Sequence, residues 1–212
     1  MKTHLVLTSA LLFLSVLLSS SVSAQQPQKL SYADLVAKVK KGDHSVDFKE
    51  LRLAYTETKE YRPYGGDRTA RKTMFAALNA KDYELALQQS DKLLAANFID
   101  LNAHFIAFAA NKGLGNAEKS AFYKYIFEGL LSSITDSGDG KTTDTALVVI
   151  STDEEYVLFN YLGLKVGNQA LVEDKGHHFD RMTAVNSKTG ETVVYYFNID
   201  KPFNWLGNSL KP

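Results

Sequence analysis

The spacing of apolar residues predicts an α+β protein, with N-terminal helical hairpins packed on a C-terminal, mostly antiparallel sheet. Two observations carry this. Across most of residues 31–134, apolar side chains recur at intervals of three and four between residues that cap helices; from 168 to 199 they alternate with period two. The change falls at Asp136-Ser137-Gly138-Asp139-Gly140-Lys141, a loop by composition. Helices followed by strands, rather than alternating with them, argue for segregated layers.

At the amino end, Lys2 and His4 precede an uncharged run from Leu5 to Leu18, and Val22-Ser23-Ala24 follows. These are the three zones of a secretory signal, with cleavage expected after Ala24. Thr8, Ser9 and Ser15 interrupt the run, which falls short of the roughly 20 residues that span a bilayer. The expected product is periplasmic or secreted, with no membrane span after signal cleavage. Residues 25–45 read as a polar leader and short helix, and 46–200 as a single α+β domain. Within it 46–135 is helical and 144–200 forms the sheet, while 201–212 reads as a C-terminal coil. The chain has 24 basic and 24 acidic residues, and losing Lys2 leaves the balance near −1. That balance offers no field for nucleic acid or anionic membranes. With 0 cysteines, disulfides, thiol catalysis and thiolate metal sites are out, and the core must supply stability.

Ser31 to Asp34 opens a short helix with Leu35, Val36 and Val39, ended by Gly42, and Asp47 opens another with Phe48, Leu51 and Tyr55 inward. Tyr61, Pro63, Tyr64 and Gly65-Gly66 mark an irregular aromatic loop. Ala70, Met74, Ala77 and Leu78 form the stripe of a third helix. Asp82 caps a fourth with Tyr83, Leu87, Leu94 and Phe98; Asp100 caps a fifth with Leu101, Phe105 and Phe108 inward. Asn116 starts a sixth that is apolar nearly all round, as befits a central helix. Thr145 to Ile150 reads as an inner strand, Thr152 with Glu155 as a capping box, and 168–173, 179–185 and 191–199 as strands.

Lys81 to Asn116 resembles one tetratricopeptide unit, through Tyr83, Ala86, Leu94, Ala103, Ala107 and Gly113. One unit implies a helical hairpin of that geometry and not an array. A broader likeness runs from Val46-Asp47-Phe48 and Leu51-Arg52-Leu53-Ala54-Tyr55 through Tyr61 and Pro63-Tyr64. It continues at His104, Ser137 to Lys141, Val149-Ile150, Glu154-Glu155-Tyr156 and Gly163-Leu164, and ends with Gln169, Phe179-Asp180 and Tyr196 to Ile199. In these residues the chain resembles the bacterial domain-of-unknown-function family numbered 4919. The resemblance implies an exported, uncharacterised protein and carries no activity with it.

Several residues invite chemistry. Gly138-Asp139-Gly140-Lys141-Thr142 ends like a phosphate loop, but a helix precedes and a strand follows, the reverse of that motif. Asp136, Asp139 and Asp144 lack the spacing of a calcium loop. His178 and Asp180 share a strand face and would need His104 or Glu155 to complete a metal site. His104 reads as a core histidine that becomes a general base if a carboxylate orients it. The candidate polar site is therefore His104, Asp139, Lys141, Glu155, Tyr156, Gln169, His178 and Asp180, with no metal and no cofactor assigned. Two functions remain: a non-enzymatic binding domain of the cell envelope for a small molecule, glycan or protein, or a hydrolase or metal-assisted enzyme at the helix-sheet junction. An enzyme requires these groups to converge; a binding domain leaves them scattered.

Overall fold

The computed structural model describes residues 29–211; the expected signal peptide lies outside the described residues. Helix α1 (Tyr32–Lys40) begins with a capping box between Ser31 and Asp34, and α2 (Phe48–Tyr55) is capped by Asp47, which accepts from the Lys49 and Glu50 N–H groups. Four antiparallel helices follow: α3 (Arg68–Asn79), α4 (Tyr83–Ala96), α5 (Leu101–Gly113) and α6 (Ala117–Thr135). Asp67, Asp82 and Asp100 cap the first three of these through the N–H groups of Ala70, Leu85 and Ala103. Each such cap satisfies a donor that the helix itself leaves unpaired.

The hairpins share a small core of Ala70, Met74, Ala77, Ala86, Leu94, Ala103 and Ile106. Its alanines let backbones approach closely, and this changes the expected face of α5. Ala103, Ile106, Ala107 and Ala110 turn inward between α4 and α6, whereas Phe105 is 41% exposed. Bulk that periodicity assigned to the interior is thereby displaced to the surface. Helix α6 is central as expected, with Ile126, Leu130 and Ile134 fully buried in the main core. Gly129 lets α2 lie against it, because a Cβ there would strike the Phe48 ring.

The second half contains β1 (Leu147–Val148), α7 (Thr152–Tyr161), β2 (Leu164–Asp174), β3 (His177–Asn186), β4 (Thr192–Asn198) and α8 (Asp200–Ser209). Sheet order is β1-β4-β3-β2. The last three strands form an antiparallel meander, and β1 pairs parallel to β4, making the sheet mixed. Two expectations are corrected. The apolar run at 145–150 is a two-residue edge strand, not an inner one; helices and the loop at Tyr61 bury it, and the Tyr61 hydroxyl donates to the Ile150 carbonyl at 2.6 Å. The expected C-terminal coil is largely α8. Pro202 sits in its first turn, where proline is tolerated, and Phe203 and Trp205 pack on the main core.

A buried ion pair joins the halves. The Arg52 Nε and Nη2 donate to the two Glu154 oxygens at 2.9 and 2.6 Å, Nη1 to Ser133 Oγ at 3.1 Å, and Nη2 also to the Val148 carbonyl at 3.0 Å. Glu154 further accepts from the Ile150 N–H at 2.8 Å. Both side chains are at most 6% exposed. A buried pair satisfied on every side is costly to break singly, since the survivor is left charged and unpaired. Arg52→Met alone should therefore cost about 3–5 kcal/mol in urea denaturation, and the double variant Arg52→Met with Glu154→Leu should recover most of that loss.

Candidate functional site

Helix α7 aims consecutive glutamates in two directions, because neighbouring positions sit roughly 100° apart around a helix. Glu154 turns to Arg52, and Glu155 turns to the sheet. The expected capping box is not formed: Ser151 occupies the cap without a side-chain bond, and Glu155 is fully buried. Among the described residues, neither Glu155 oxygen meets an N–H or O–H donor. What faces it, within hydrogen-bonding reach, is the carboxyl of Asp180 on β3. Two carboxyl groups can bond only when one of them holds a proton. Burial first, then the Asp180 charge and the shared bond, push Glu155 up to about 9. Burial also raises Asp180, against the Gln169 and Glu155 bonds that stabilise its charged form.

A bulge in β2 supplies Gln169. Val166 pairs with Ala184 and Gln169 with Met182, so Gly167 and Asn168 together oppose Thr183. The Thr183 hydroxyl takes the place of a ladder partner, accepting from the Asn168 N–H at 2.8 Å. The extra residue reverses the alternation and puts Gln169, instead of Asn168, on the face of Asp180. Tyr156 donates to the Gln169 Oε1 at 3.4 Å. Burial raises the Tyr64 hydroxyl, with the nearby Asp180 and Glu155 charges adding to the effect. Glu155, Tyr156, Gln169 and Asp180 thus come together as the sequence placed them.

The other four candidates do not join them. His104 is buried on α5, its Nε2 donating to the Phe98 carbonyl at 2.5 Å and its Nδ1 facing no partner among the described residues; burial lowers it to about 4. No carboxylate orients it as a base. Asp139 and Lys141 lie in an exposed loop. Asp139 accepts from Thr145 Oγ1 at 2.6 Å and the Lys141 N–H at 3.0 Å, bonds that hold its carboxyl below the usual range. This loop is structural, since the Gly140 carbonyl accepts from the Tyr196 N–H and so covers the margin of β4. His178 stacks on Phe203 at 3.6 Å, and its backbone N–H bonds Asp200. Among the described residues, no three of His, Asp or Glu stand where one metal ion could be shared.

A row of three hollows on the helical face went unread in the sequence. The first, about 260 Å³, is bounded by Arg62, Gly66, Arg71, Lys92, Asp100 and Asp153. A narrow throat of about 30 Å³ shares Asp100 and Asp153 with it. The throat in turn shares Asn102 and Val157 with a third hollow of about 230 Å³, lined by Phe75, Phe105, Phe127 and Tyr161. Arg71 bridges Asp100 at 2.8 Å and Asp153 at 3.0 Å. On α3, Arg71 and Phe75 are four residues apart, as are Asp153 and Val157 on α7, so both helices present a charged end and an apolar end in the same direction. Spacing alone could have paired these positions, but only the fold shows that the hollows beside the two stripes share lining residues.

A family model described as a domain of unknown function, DUF4919, matches residues 21–206. The chain belongs to this family. No curated protein and no solved structure matches it. Membership in DUF4919 therefore brings no activity, and the site has to be judged by its own chemistry.

The titrations of Glu155 and His104 oppose one another below neutrality. Glu155 keeps its proton to about 9 when folded and loses it near 4.5 when unfolded, so stability falls as pH rises through that window. His104 is neutral down to about 4 when folded but protonates near 6.5 when unfolded, so its contribution rises with pH between those values. The two slopes offset each other from about 4.5 to 6.5, and above that Glu155 acts alone. Chemical denaturation at a series of pH values should find stability nearly level from pH 5 to 6.5, then falling by at most about 1.4 kcal/mol per unit toward pH 9. In Glu155→Gln the alkaline fall should vanish; if it persists unchanged, the carboxyl pair is not its source.

Proposed function

We propose that this protein is an exported, non-enzymatic interaction domain whose trough between α3, α5 and α7 receives an extended segment of a partner protein. The observation that carries this reading is the row of hollows with its graded lining. Phe75, Phe105 and Tyr161 stand 38%, 41% and 60% exposed around the apolar end. Aromatic rings left to water in one place are the usual mark of a contact surface. The side chains of Asn102 and Asn160 lie among them and make no hydrogen bond within the described residues. Amides offering both donor and acceptor suit a peptide backbone, which presents the same two groups. A glycan would fit less well. It carries several hydroxyls per ring, and two amides would leave most of them unpaired beside phenylalanine.

Length favours the same occupant. From Asp153 to Tyr161 the trough follows eight residues of helix, about 12 Å, which three or four extended residues span. The N-terminal leader supports export, and a binding domain outside the cytoplasm is consistent with the nearly neutral surface. The competing reading, a hydrolase or metal-assisted enzyme, draws support only from the carboxyl pair. Glu155 there is fully buried, while His104 lies in the helical core and Asp139 and Lys141 share an exposed loop, both apart from the carboxyl pair.

Peptide display against residues 25–212 tests the proposal. Selected peptides should bind the unaltered protein at least about tenfold more tightly than Phe105→Ser or Tyr161→Ser, which lie at exposed positions and should leave the fold intact. Binders that are indifferent to both substitutions would remove the trough from consideration.

A further inference from the structure

Resting on the trough reading, we infer that the partner segment presents a basic group, a lysine, an arginine or a free amino terminus, to the Asp153 end and an apolar side chain to the Phe105 end. Arg62, Arg71 and Lys92 line the first hollow beside Glu60, Asp67, Asp100 and Asp153, three cations against four carboxylates. The cations are largely engaged already. Lys92 pairs with Asp67 at 2.6 Å, and Arg71 is shared between Asp100 and Asp153. Arg62 lies over the Trp205 ring at 5.9 Å and donates to the backbone carbonyls of Lys59 and Tyr61.

Arg71 does keep one buried nitrogen, Nη1, without a partner among the described residues. That atom is shut off from solvent, so an entering anion could not reach it without first displacing the side chain. The carboxylates differ. Asp100 is 8% exposed and is occupied by Arg71 and by the Ala103 N–H at the start of α5. Asp153 is 48% exposed, and among the described residues it pairs with a guanidinium that it shares with another acid. A carboxylate offers about four lone-pair sites, so Asp153 has open positions facing the trough. An ammonium or guanidinium delivered there would complete a network now short of positive charge; an added carboxylate would meet Asp100 and Asp153 instead.

Distance limits the segment as well. Asp153 and the Phe105–Tyr161 hollow are linked through Val157 and Asn102, within the stretch that three or four extended residues cover. The recognised unit is therefore a basic residue and an apolar residue about three or four positions apart, in either chain direction.

Synthetic peptides decide it. The probe is an eight-residue Gly-Ser peptide with one Lys and one Phe about four positions apart, capped at both ends, carrying an uncharged dye and titrated by anisotropy against residues 25–212. Replacing its Lys by norleucine should weaken binding roughly fivefold, and replacing it by Glu should weaken it more. Asp153→Asn should erase the preference for Lys over norleucine, and Asp153→Glu should keep it, with thermal unfolding of each variant as the check on folding. If the Glu peptide binds as well as the Lys peptide, or Asp153→Asn leaves the preference unchanged while Phe105→Ser still abolishes binding, the basic partner is wrong and the trough stands. If no peptide binds, or Phe105→Ser has no effect, the trough and the basic partner fall together.

Discussion

Two adjacent acids at the start of one helix, both without access to water, are the constraint on which the architecture turns. Glu154 is held as the partner of a guanidinium, and Glu155 as a carboxyl group facing another carboxyl group. A buried acid must be neutralised by a cation or by a proton, and this protein uses one solution at each of two consecutive positions. Because the residues point different ways, α7 is tied at once to α2 in the helical half and to β3 in the sheet. Arg71 extends the attachment to α3 through Asp153. The trough lies where these ties converge, so its walls are set by interactions deeper than its lining.

Much of the architecture was legible beforehand, since caps and apolar spacing are local. Asp47, Asp82 and Asp100 each end a turn and start a helix, and the period-two stretches at the C-terminal end are strands. What was illegible depended on neighbours. The inward alanines of α5 and the outward Phe105 follow from how closely α4 and α6 approach, which spacing within one helix does not encode. The run at 145–150 is hydrophobic enough for an inner strand, yet only two of its residues pair. Pro202 and Gly207 disguised α8, whose place is secured by Phe203 and Trp205 in contact with the core.

The candidate site divides along the same line. Glu155, Tyr156, Gln169 and Asp180 meet because α7 packs on the face to which β2 and β3 direct them, and the bulge is what brings Gln169 round. His104 was rightly suspected of being a core residue. Asp139 and Lys141 drew attention for a glycine-rich loop whose role is to cover a strand margin. Neither Glu154 nor Arg52 stands among the candidate residues that the sequence offers. Their pairing spans 102 positions of sequence, and nothing near either one announces it.

The bulge at Gly167 and Asn168 has a consequence for how molecules of this protein meet one another. Strand β2 borders the sheet, long enough to template a strand from a second molecule, with Leu171 60% exposed on it. Interrupting its ladder partway breaks the run of evenly spaced donors and acceptors that an incoming chain would need, and coils the border away from flatness. The same residue insertion that delivers an amide to the acid pair thereby makes this border a poorer template for edge-to-edge pairing.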